Sequence, residues 1–209
     1  MREGLEVLAA AAALGMAAGA LAWMASGYFA AGRGRLPLAI VSLATAVVFG
    51  WAAAVIPFGW VLAATLILAW TLVSLAAIDA VALRLPDVFT LPLIAAGLVV
   101  SCFLPGASII DHLAGAAAGY AVLAALAWAW RRWRGIDGIG LGDAKLLAGA
   151  GAWLGWRPLP EVVMIACGVA LAWVAIMAVG RRTSWQGTRI AFGVPLCVAI
   201  WIVWLYGPA

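Results

Sequence analysis

Apolar residues fill this chain in long runs, broken by short clusters of glycine, proline and charge. A bilayer core needs about 20 apolar residues in a helix to cross it. On that scale the pattern predicts eight helical spans, at approximately residues 5–30, 36–56, 58–78, 87–104, 108–130, 139–156, 159–180 and 189–207. Turn signals separate them: Gly32-Arg33-Gly34-Arg35 after the first run, Ile56-Pro57-Phe58-Gly59 after the second, and Leu104-Pro105-Gly106 after the fourth. The expected fold class is all-α, a polytopic membrane helix bundle of about eight transmembrane helices. No repeat, low-complexity tail or linker interrupts it, so residues 1–209 are read as a single transmembrane domain.

Composition agrees with the pattern. Hydrophobic residues make up 68% of the chain and charged residues 10%, against about 45–50% apolar for soluble domains. The 13 tryptophans suit a membrane protein, because indole rings favour the interfaces. The net charge of +4 comes from small scattered clusters, which read as topology signals and contacts to anionic lipid rather than as nucleic-acid affinity. Cys102, Cys167 and Cys197 each stand alone in apolar runs, so no thiolate metal site is expected and they read as buried, inert packing residues.

The basic residues orient the spans. Arg33, Arg35, Arg84, Arg131, Arg132, Arg134, Arg181, Arg182 and Arg189 fall in alternate loops, with Lys145 on the same side just inside the sixth span. Of the 12 basic residues only Arg2 and Arg157 fall opposite. The bias places those alternate loops in the cytoplasm and both termini outside. Glu3 and Glu6, with the basic cluster that follows the first run, argue that this run is a retained helix and not a cleaved signal peptide.

Two acids stand out against this background. Asp79 ends the third span and Asp143 begins the sixth, both on the expected cytoplasmic edge. Ionisable groups at membrane depth are costly and tend to be kept for a function. Two carboxylates held close share a single proton. The ionised member can deprotonate a water, while the protonated one polarises a peptide carbonyl and later donates to the leaving amine. No cofactor is required. Either acid could instead be a helix cap or a loop charge. Gly138, Gly140 and Gly142 alternate before Asp143 and permit an open loop that could admit a substrate strand. Lys145 could tune the local charge or snorkel to lipid head groups. Arg84 and Asp87 read as surface charges, with Pro86 at a helix start and Asp87 and Thr90 forming a capping turn. Gly115 and Gly119, and Gly151 and Gly155, form small-xxx-small pairs suited to close helix packing. His112, the single histidine, reads as an outer-loop residue with no partners for a Ser-His-Asp triad.

Three segments carry a resemblance. Ile78-Asp79, Leu85-Pro86-Asp87 and Thr90-Leu91-Pro92-Leu93 resemble the first active-site block of the type IV prepilin peptidases. Gly140-Leu141-Gly142-Asp143-Ala144-Lys145-Leu146 is similar to their second, and Ile190-Ala191-Phe192-Gly193-Val194-Pro195 to their closing segment, with Ala191 where proline is common. The resemblance covers about residues 33–207. It implies a membrane aspartic endopeptidase of the GxGD type in the bacterial inner membrane. Such an enzyme cuts the basic leader from prepilin or pseudopilin precursors at the cytoplasmic face. Asp79 and Asp143 would be the catalytic aspartates, Gly140 and Gly142 would shape the loop, and Lys145 would support it. Many members carry a cysteine-rich cytoplasmic insert that resembles a zinc site, and also methylate the new pilin N-terminus. Here that loop is about residues 31–35 without a cysteine pair, so no metal and no cofactor is assigned, and methyl transfer is not assigned. The short form looks like the compact peptidases serving Flp-type (tight-adherence) pili.

Two other readings stay open on the residues. A non-enzymatic transporter or pilus-assembly component would use the acids as ion or proton sites, but repeated halves with matching interrupted helices are missing. A presenilin-like or signal-peptide-peptidase-like protease also uses GxGD. Those enzymes usually pair it with Tyr-Asp and Pro-Ala-Leu, where this chain has Ile78-Asp79 and Gly193-Val194-Pro195-Leu196.

Overall fold

The computed structural model describes residues 2–29, 34, 36–135, 140–180 and 191–207. Gly32, Arg33, Arg35, Gly138, Arg181, Arg182, Arg189 and Ile190, used above for topology or motif matching, lie outside the described residues. All regular structure among the described residues is helical. The eight helices are α1 (Arg2–Phe29), α2 (Leu38–Val55), α3 (Trp60–Ala82), α4 (Asp87–Ser101), α5 (Ile109–Arg134), α6 (Leu141–Leu154), α7 (Leu159–Gly180) and α8 (Gly193–Tyr206). The chain is a polytopic helical membrane protein. Five helices, α1, α2, α3, α5 and α7, are long and apolar enough to cross a bilayer. The other three have 15, 14 and 14 residues. At 1.5 Å per residue they cover about 21–23 Å, short of the ~30 Å hydrocarbon core.

Helix ends follow from local chemistry. α3 continues four residues past its expected end, because Ala-Ile-Asp-Ala-Val-Ala contains no breaker, and this draws Asp79 into the last turn of the helix. It stops at Leu83, whose φ of 53° puts a β-carbon in the left-handed region, at a cost of about 1–2 kcal/mol. α5 likewise overruns, to Arg134, and stops where Gly135 takes φ 69° and donates its N–H to the Arg131 carbonyl at 2.9 Å. Arg131, Arg132 and Arg134 then occupy the last turn, where the helix dipole favours cations.

The helices group into two compact units, residues 1–82 and 83–209. In the first, α1, α2 and α3 pack on one another. Gly15 and Gly19 lie against α2: a β-carbon at either would come within 2.6 Å of Ala46 Cα or 2.4 Å of Ser42 Cα. This small-xxx-small pair went unread in the sequence. Trp70 Nε1 donates to the Ala18 carbonyl at 3.1 Å and Trp23 Nε1 to Leu36 at 2.8 Å. Both indoles border a cluster of Ala22, Val41 and Ala77. Buried hydroxyls are satisfied within their own helices: Thr45, Thr65, Thr71 and Ser74 each donate to the carbonyl four residues back.

In the second unit α6 is central and packs against α4, α5, α7 and α8. Every residue from Leu146 to Trp153 is buried. Gly115 and Gly119 of α5 face α6 as the spacing predicts, and a β-carbon at Gly151 would lie 2.1 Å from the Gly115 carbonyl carbon and oxygen. Gly155 has a different main role: at φ 79° it turns the chain out of α6. Trp153 stacks edge-on with Trp204 of α8, ring centroids 5.3 Å apart.

Two sequence expectations are corrected here. His112 is not a loop residue; it sits in the first turn of α5, buried, with Nδ1 3.0 Å from the Ala152 carbonyl. That carbonyl lies in the last turn of α6, where helix carbonyls lack intrahelical partners. A carbonyl only accepts, so Nδ1 carries the proton. Of the three cysteines only Cys197 is buried; Cys102 and Cys167 are exposed. An apolar run cannot reveal which face meets protein and which meets lipid, because both are apolar.

Candidate active site

Asp79 lies in the last turn of α3 and is 5% exposed, the one acid among the buried described residues. Its neighbours Ala77, Ile78 and Ala82 are buried too. The helix runs past the expected end of the span, so Asp79 stands one turn inside the end of α3.

Asp143 is the third residue of α6, half-buried. Gly140 takes the N-cap position with φ −75° and ψ 132° and offers no side-chain cap. An acid in this first turn is favoured by the positive end of the helix dipole. The Asp143 N–H bonds the Gly140 carbonyl at 3.1 Å, and a β-carbon on Gly140 would sit 3.5 Å from Asp143 Oδ2. The carboxylate therefore folds back over its own N-cap. Gly140 leaves that side open, and an alanine there would touch the carboxylate without clashing. Gly142 is tighter, with Leu85 Cβ 3.0 Å from where its own β-carbon would stand.

One face of α6 meets α4 and the segment that leads into it. Gly142 lies under Leu85, Lys145 under Asp87, Gly149 under Leu93, and Trp153 beside Gly97. Lys145 Nζ donates to Asp87 Oδ1 at 2.6 Å, with the two side chains 28% and 56% exposed. Trp153 Nε1 donates to the Leu93 carbonyl at 2.9 Å. The sequence reading missed this pairing. It treated Asp87 as a surface charge in a capping turn and Lys145 as a loop-supporting residue that tunes the local charge or snorkels, and it named no partner for either. The helix start at Pro86 holds as its N-cap, but with no side-chain cap bond there. A signal was available: an acid and a base standing at the starts of two helices in motif-bearing segments.

Thr90, on the same face of α4, is fully buried, and its hydroxyl has no hydrogen-bond partner among the described residues. An unpaired buried hydroxyl costs about 1–3 kcal/mol, whereas an apolar group of the same shape does not. Thr90→Val is expected to stabilise the folded protein by about 1 kcal/mol, read as a higher midpoint in detergent unfolding. A lowered midpoint would show that the hydroxyl is bonded.

The comparisons with known proteins bear on both acids. Residues 66–176, which include Asp79 and Asp143, match the model of the Type IV leader peptidase family. The chain is 40% identical over 173 residues to a prepilin leader peptidase/N-methyltransferase of Pseudomonas aeruginosa, an alignment covering 83% of this chain and 59% of that protein. It is 42% identical to the protein so named from Aeromonas hydrophila, with the same coverage, and 38% identical over 172 residues to that of Neisseria gonorrhoeae, covering 81% and 57%. The chain thus spans less than two thirds of the length of these relatives. No solved structure matches. The match across more than half of the chain, with relatives of this identity, establishes that the chain belongs to the Type IV leader peptidase family.

Proposed function

We propose that this chain is a membrane aspartic endopeptidase that removes the leader of prepilin or pseudopilin precursors at the cytoplasmic face of the inner membrane. Asp79 and Asp143 are its two catalytic carboxylates. The observation that carries the reading is the pair of acids in family-matching blocks, one buried in the last turn of α3 and one in the capless, glycine-led first turn of α6. Structural acids at helix ends are ordinarily exposed caps, and burial of a carboxyl needs a compensating role.

The chemistry follows from one shared proton. The ionised carboxylate takes a proton from water as its oxygen attacks the scissile carbonyl. The protonated carboxyl hydrogen-bonds the carbonyl oxygen and stabilises the tetrahedral intermediate. Collapse breaks the C–N bond, and a proton passes to the departing amine. One water is consumed and the pair regains its single proton, so no metal or cofactor enters the balance. Gly140 leaves the space beside the Asp143 carboxylate open to substrate, Gly142 lets Leu85 close on the first turn of α6, and Lys145 supports the loop. Membrane lipid surrounds the apolar faces. Methyl transfer is not part of the proposal.

The test is the N-terminal mass of a prepilin-type precursor encoded beside this gene and co-expressed with the chain. Loss of the leader after a glycine, at the cytoplasmic edge of the pilin helix, is expected; a further methylene of mass would reveal methyl transfer. A panel of pilin-like precursors left whole by correctly inserted protein would refute the reading. Proton-dependent solute flux in liposomes would favour a transporter instead.

The two loop glycines should separate in the same assay. Gly142→Ala forces Leu85 or the first turn of α6 to move by several tenths of an ångström, enough to misplace Asp143. It is expected to lower kcat by about 10-fold. Gly140→Ala meets only ordinary contact and should lower it less. The reverse order would show that close packing at Gly142 is not what the site needs.

A further inference from the structure

We propose that Lys145 and Asp87 are a positioning pair that fixes the roll of α6, and with it the direction of Asp143, against α4. The inference rests on the reading of Asp143 as catalytic. It assigns a role to a charge pair that is unaccounted for by cleavage chemistry alone.

α6 presents one face to α4 and to the segment before it. Gly142, Lys145, Gly149 and Trp153 fall at steps of three and four residues, one stripe of a helix. Two of these positions are glycine, so Leu85 and Leu93 rest on bare backbone. Side chains resting on a glycine surface set the distance between two helices but resist rotation poorly. Deeper in the unit, Trp153 is pinned by its bond to the Leu93 carbonyl and by stacking on Trp204. At the N-terminal end of α6 the helix start has no side-chain cap. Among the described residues, the 2.6 Å bond from Lys145 to Asp87 gives the first turn and a half of α6 a directional tie to the start of α4.

Asp143 lies beside this stripe, about 100° around the axis from Gly142. Side-chain ends stand about 5–6 Å from a helix axis. A roll of about 10° therefore carries the carboxylate through about 1 Å, a displacement that can cost ~100-fold in rate when it misaligns reacting groups. Asp87 is itself the first residue of α4, set by Pro86 with φ −71°. The anchor thus comes from a helix start of fixed direction. An exposed ion pair contributes little to stability, so its effect should appear in the rate and not in folding.

The test uses the full chain in phospholipid vesicles with a precursor that the wild type cleaves. Asp87→Asn, Lys145→Gln, the double variant and Lys145→Arg are compared, with Asp79→Ala and Asp143→Ala as references. The expected result is a kcat about 10-fold lower in each neutral single variant, KM within about 2-fold, and unchanged thermal midpoints. The double variant should be no slower than the slower single, since both remove one contact. Lys145→Arg should return to within about 3-fold of wild type, and the pH limits of cleavage should stay in place. Multiplicative losses, a rise in KM confined to Lys145→Gln, or unchanged kcat would overturn the pair as a positioning device. If the single variants unfold, Lys145→Arg and Asp87→Glu decide: near-wild-type kcat supports the pair, and loss in both despite intact folding overturns it. Full cleavage by Asp143→Ala would instead overturn the proposed function on which this rests.

Discussion

Asp143→Ala and Asp79→Ala are each expected to leave a prepilin-type precursor uncut, with the protein inserted as before. A positioned acid or base contributes typically ~10²–10⁴-fold. Here each aspartate would serve in both roles of a one-proton pair, so either single loss should remove cleavage to background. The double variant should be no worse than either single, because groups that act as a unit are not additive. Asn at either position keeps the shape but cannot exchange the proton, so it should fail equally. The same pair predicts a bell-shaped pH dependence. Cleavage falls on the acid side as the ionised member takes up a proton, and on the basic side as the second proton leaves. The measurement is the N-terminal mass of the precursor, with correct insertion checked by protease accessibility. Full activity in either variant would end the two-aspartate mechanism, and a single-limbed pH profile would remove the shared proton.

The second large effect is structural. Gly151→Ala is expected to destabilise the protein, although alanine is ordinarily the better helix former by about 1 kcal/mol. The new β-carbon would stand 2.1 Å from the carbonyl carbon and oxygen of Gly115 and 2.7 Å from Ala116 N. These are backbone atoms, so no rotamer change relieves the contact, and α5 must separate from α6. That would also loosen Gly119 against Leu147 and the His112 bond to Ala152. Overpacking of this kind costs about 1–3 kcal/mol or more, which outweighs the propensity gain. A loss near the upper figure would lower the thermal midpoint by roughly 5–10 °C in detergent. Gly50→Ala and Gly168→Ala, where nothing lies within 4 Å, provide the contrast and should be neutral or slightly stabilising. A Gly151→Ala protein as stable as wild type would show that α5 and α6 do not approach so closely.

Much of the fold was legible because a membrane leaves the chain few choices. Backbone groups in hydrocarbon must bond within a helix, so apolar runs and their Gly, Pro and Arg boundaries locate the helices. α7 was placed at residues 159–180 as found, and α2 and α5 begin within two residues of the expected positions. The motif acids were legible for a related reason: charge is rare in such a chain, and Asp79 and Asp143 stand out against it.

Which face each helix turns inward was left to the tertiary structure. Helices apolar all round carry no stripe to mark the core side. Burial of Asp79, exposure of Cys102 and Cys167, and the contact of Gly15 and Gly19 with α2 thus emerge only when helices are set side by side. The same holds for polar pairs that span helices. His112 finds the Ala152 carbonyl 40 residues away and Lys145 finds Asp87 58 residues away. Sequence alone determined that this is a helical membrane protein with two conspicuous acids, because hydropathy and charge are properties of each residue by itself. The partners of His112, Lys145 and Gly151 were decided by packing, because a contact between helices is a property of two distant segments and of the rotation between them.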